Sequence, residues 1–80
     1  MREALEEVAR VHDAAANELE QAVRHCRTAA IHFRDGEVPS GAAHAWAAFG
    51  HIWEAEESLH AQARTHARKA VPEPADESDA

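Results

Sequence analysis

Apolar residues recur along the first half of the chain every seven positions, in two adjacent stripes. One runs through Leu5, Leu19, Cys26 and Phe33, with His12 in its line. The other runs through Val8, Ala15, Ala22 and Ala29, widened by Val23 and Ala30. A seven-residue repeat keeps both stripes on one side of an α-helix, and the alanine stripe is narrow enough to let a neighbouring backbone come close. Residues 2–34 contain no Gly or Pro and are rich in Ala, Glu and Arg, which favour helix. Glu3, Glu6 and Glu7 stand early and Arg24, Arg27 and Arg34 late, the order that complements a helix dipole. Glu6 with Arg10 and Glu20 with Arg24 add favourable i,i+4 pairs. The pattern predicts a helix over about 2–34.

Asp35-Gly36 is a helix stop, because glycine takes the left-handed C′ conformation at little cost. Pro39 does not continue the first helix and Ser40 suits a cap, so the turn is expected over 35–40. A second helix is expected over about 41–70, up to Val71-Pro72-Glu73-Pro74. Its seam reads Ala45, Ile52, Leu59 and His66, with Ala48 and Ala55 beside it and Phe49 and Ala63 widening it. A further stripe holds Trp46, Trp53 and His60. Residues 72–80, Pro-rich and acidic, are expected to be a disordered tail.

Two long amphipathic helices joined by a short connection make an all-α antiparallel hairpin spanning 1–71. Helix two carries more apolar surface than one neighbour covers. Trp46, Phe49, Ile52 and Trp53 are therefore candidate interface residues, and a two-fold dimer of hairpins, a four-helix bundle, is the simplest cover.

Phe33-Arg34-Asp35-Gly36-Glu37-Val38 followed by Ala42 resembles the helix-turn-helix of a tetratricopeptide repeat. Trp46-Ala47-Ala48-Phe49-Gly50-His51-Ile52-Trp53 resembles the Trp…Leu-Gly…aromatic start of that repeat's first helix. The two stretches stand in different registers of the repeat and together cover about a quarter of the chain. The resemblance implies a protein-binding helical hairpin.

Composition narrows the function. In 80 residues, 45% are hydrophobic but alanine supplies most of them, so one chain buries little apolar area alone. The net charge is −7, with Glu73, Asp76, Glu77 and Asp79 in the last eight residues. The body keeps 11 acids against 8 bases. No clustered basic surface is available for phosphates, which argues against nucleic-acid binding. No apolar run approaches the ~20 residues of a membrane span. Met1-Arg2-Glu3-Ala4-Leu5-Glu6-Glu7 lacks the basic and apolar regions of a signal peptide, and the lone Cys26 has no intramolecular partner. A cytoplasmic address is expected.

The chain holds seven histidines, and four of them are symmetric about the turn: His25 and His51, and His32 and His44, share residue 38 as midpoint. In an antiparallel hairpin each pair comes to one height. Two imidazoles per level could bind Zn2+, Ni2+ or Cu2+ with further ligands from a dimer mate, or could respond to pH. A second constellation is Glu57-Ser58-Leu59-His60, a Glu-x-x-His on a helix. Di-iron bundles join two such motifs to a glutamate from each other helix, and Glu18 falls near the level of Glu57. His12 lies on an inward stripe, where hydrogen bonding within a core is the ordinary use.

No nucleophile elbow, phosphate loop or Cys-x-x-Cys is present, so no catalysis is expected. The expectation is a small non-catalytic adaptor or regulatory protein that self-associates and binds a protein partner. It needs no cofactor. The competing expectation is a histidine-rich bundle holding a divalent transition metal.

Overall fold

The computed structural model describes residues 1–74 and contains two helices, α1 (Arg2–Arg34) and α2 (Val38–Lys69), with no strand among the described residues. Beyond α2, residues 70–74 carry no regular secondary structure. The disorder expected of 72–80 otherwise falls on 75–80, which lie outside the described residues.

The turn has only three residues. Gly36 has φ 76°. Its N–H donates to the Phe33 carbonyl (3.1 Å) while Glu37 N–H donates to the His32 carbonyl (2.8 Å). These are the two bonds of a Schellman motif, which closes the last carbonyls of α1. α2 starts three residues before the expected Gly41. Pro39 sits in its first turn, where a missing N–H is not felt and a preset φ is already helical. Glu37 rather than Ser40 is the N-cap residue. A side chain at Gly36 would meet no neighbour, but it would be held in the left-handed region. Gly36→Ala should therefore lower stability by about 1 kcal/mol, measured by urea unfolding, through backbone strain alone.

The helices run antiparallel and meet along their small residues. Ala15, Ala22 and Ala29 of α1 and Gly41, Ala48 and Ala55 of α2 are the buried positions. The pairs 15/55, 22/48 and 29/41 are each centred on residue 35, so small faces small at every level. Without a long side chain between them, the backbones approach closely. At Gly41 the Phe33 ring packs directly over the backbone, so a Cβ there would come within 2.8 Å of it and the ring would have to move.

The centre of the seam thus lies one stripe away from the Ala45, Ile52 and Leu59 line expected of α2. The larger residues are displaced onto one flank because the alanines permit the closer contact. Among the described residues no large side chain is fully buried. The smallest dimension of the molecule is 12 Å, little more than one helix. The hairpin is a single layer with two open faces.

Candidate functional site: a polar flank and an aromatic flank

The seven-residue register gives the two faces opposite character. Three positions after each buried residue stand Glu18, His25 and His32 on α1 and His44, His51 and Ser58 on α2. Four positions after stand Leu19, Cys26 and Phe33 on α1 and Ala45, Ile52 and Leu59 on α2. One flank of the seam is polar at all six positions, and the other is uncharged at all six.

On the polar flank, His32, His44, His25 and His51 stack in single file, drawn alternately from the two helices. Successive ring centroids are 5.4, 5.3 and 5.4 Å apart, with interplanar angles of 8°, 29° and 12°. The Nδ1 atoms of His25 and His44 are 3.0 Å apart, so one carries the hydrogen and the other accepts it. A carboxylate closes each end of the row. His32 Nδ1–H donates to Glu37 Oε2 (2.8 Å), and His51 Nδ1–H donates to Glu18 Oε2 (2.7 Å). All four rings are half-buried.

This arrangement distributes the candidate residues differently from the Glu-x-x-His scheme. Glu18 is engaged with His51, not with Glu57 or His60. Glu57 is exposed and follows buried Ala55 by two positions, which turns it to the outer side of α2. Exposed His60 follows Ala55 by five, the offset of Trp53 from Ala48, which puts it on the Trp46/Trp53 stripe and away from His51 and Glu18. The structure does not bring those three together. His12 is exposed rather than inward, with Nδ1 hydrogen-bonded to the Val8 carbonyl (2.9 Å). Cys26 is exposed as well.

On the other flank, Trp46, Phe49 and Trp53 are 74%, 52% and 57% exposed, and Ile52 beside them is half-buried. Phe49 meets Trp46 edge-on at 6.1 Å and Trp53 edge-on at 5.8 Å, a geometry favourable to aromatic rings. Phe33 reaches this cluster from α1. Together with Ala42 and Ala45, these aromatics line a groove of about 600 Å3.

Phe33 and Glu37 are the functional candidates that pattern reading missed. Phe33 had a signal, since it follows Ala29 by the same four positions that place Ile52 after Ala48. Glu37 had none, because it reaches His32 from within the turn.

Among the described residues no helix is long and apolar enough to cross a membrane. Also among the described residues, no three His, Cys, Asp or Glu side chains form a group able to enclose a metal ion. Compared with protein-family models, with curated proteins and with solved structures, the chain matches none.

Proposed function

We propose that this chain is a small, non-catalytic helical adaptor or regulatory protein. Two copies associate through the aromatic flank as a four-helix bundle, and the assembly binds a further protein. The observation that carries this reading is the uncharged flank itself. The buried hydrophobic set of one hairpin is five alanines, while Leu19, Val23, Phe33, Phe49 and both tryptophans lie exposed. A single layer of helices whose large apolar residues point to solvent calls for a second layer. A second copy supplies one with the same neutral, aromatic-rich surface.

Charge favours that occupant. The chain carries −7 overall, yet the six positions that flank the seam on this side carry no charge, so those positions add no like-charge repulsion when two copies meet there. The resemblance of the turn and of the start of α2 to a tetratricopeptide hairpin points to the same class, a scaffold for protein contacts. An unpaired thiol such as Cys26 suits the cytoplasm, where it stays reduced.

Light scattering on the untagged chain should give twice the mass of one chain. Cys26, which lies on the associating flank, should react more slowly with a thiol reagent as protein concentration rises through the association range. A mass of one chain at every concentration, with thiol reactivity independent of concentration, would refute the reading.

A further inference from the structure

The imidazole row lies on the flank opposite the aromatic one, so a mate docked on the aromatics does not reach it. Whatever the row does, it does within one chain. It is built as two equivalent halves, His32 with His44 and His51 with His25. Each half has one ring from each helix, nearly parallel rings and centroids 5.4 Å apart. In each half the outer ring gives its Nδ1–H to a carboxylate, Glu37 for His32 and Glu18 for His51. That is the support found behind metal-bound histidine: the carboxylate fixes the tautomer, leaves the Nε2 lone pair free and makes it more basic.

We infer that the row binds one divalent transition-metal ion of the Ni2+, Cu2+ or Zn2+ class per chain, bridging α1 and α2 through either half. Imidazole nitrogens lie about 2.1 Å from such ions, so two nitrogens on one ion span up to about 4.2 Å, and adjacent rings with centroids 5.4 Å apart come to that span by turning their Nε2 edges toward each other. Because no third side chain among the described residues converges on the pair, water completes the coordination.

The limit of one ion follows from the centre of the row. His25 and His44 share one hydrogen between their Nδ1 atoms. When His25 holds it, the His25 Nε2 is free and the His25/His51 half is ready, while His44 carries its own proton on Nε2. When His44 holds it, the halves exchange roles. Filling both halves requires either loss of a proton from the central pair to solvent or a shift of the accepting ring's Nε2 proton to its own Nδ1, which breaks the hydrogen bond at 3.0 Å.

The test uses the untagged full chain with Ni2+, followed by isothermal titration and thermal unfolding. Uptake of one equivalent is expected, with a rise in melting temperature of about 5 °C or more at saturation, because the ion ties the two helices together. Glu18→Gln combined with Glu37→Gln should weaken binding by roughly 10–100-fold while leaving the helix content unchanged. Cu2+ titrated into the wild-type chain gives a readout independent of any variant. Its paramagnetism should broaden the ring resonances of His25, His32, His44 and His51 before those of His12, His60 and His66. Trp53→Asp should leave Ni2+ uptake intact, so failure of self-association and failure of metal binding are read separately. No uptake, two equivalents of equal affinity, or broadening that begins at His12, His60 or His66 overturns the inference.

Discussion

Trp53→Asp should convert the two-chain assembly to single chains. Trp53 sits at the end of the aromatic cluster, 57% exposed in the hairpin and edge-on to Phe49. Association through this flank would cover it, and covering a large aromatic supplies much of an interface's energy. An aspartate in its place removes that contribution and puts an unpaired charge in an apolar contact, at about 3 kcal/mol or more. A two-fold assembly carries the change twice. At about 1.4 kcal/mol per tenfold, the dissociation constant should rise by roughly four orders of magnitude. Light scattering at micromolar concentration should then report one chain. Because Trp53 is exposed and stands outside the buried alanine seam, far-UV circular dichroism should retain its helical signature if α1 and α2 still pair. Glu57→Gln, on the outer side of α2, should leave the mass unchanged. A Trp53→Asp protein with the wild-type mass would place the interface elsewhere.

The sequence made the two helices legible because a seven-residue repeat without Gly or Pro has few other solutions, and Asp35-Gly36 marks the reversal. The start of α2 was less legible. Proline is equally at home in a loop and in a first helical turn, and only the short Schellman connection decides that Val38 already belongs to the helix. The centre of the contact was ambiguous for a physical reason. Alanine and leucine stripes lie side by side on both helices, and hydrophobicity alone favours the leucines. Backbone proximity selects the alanines, and the larger residues then become a surface. The symmetric spacing of the four histidines was plain in the sequence, but their role depends on the flank they occupy. The register shows that flank only once Ala15, Ala22 and Ala29 are known to be the buried set. Glu18 was visible as a candidate beside Glu57. Its hydrogen bond to His51 depends on side-chain geometry that spacing does not encode.

That selection of alanine over leucine makes the seam the most sensitive part of the molecule. Ala48 is 2% exposed and stands level with Ala22, so Ala48→Leu forces three additional carbons between two backbones that have no room for them. Overpacking of this kind costs about 1–3 kcal/mol, and here the strain has one outlet, separation of the helices. Separation would also stretch the 3.0 Å bond between His25 and His44 and the 2.7 Å bond between His51 and Glu18. For a chain of this size the melting temperature should fall by roughly 5–20 °C. Ala45→Leu adds the same carbons to the same helix three residues earlier, on the exposed aromatic flank. It should change the melting temperature by no more than a few degrees, since helix propensity is nearly equal and no backbone is displaced. The comparison isolates backbone proximity from hydrophobicity, because the leucine is identical in both variants. Equal losses at positions 45 and 48 would show that the helices do not meet along the alanine stripe, and the division into a polar and an aromatic flank would fall with it.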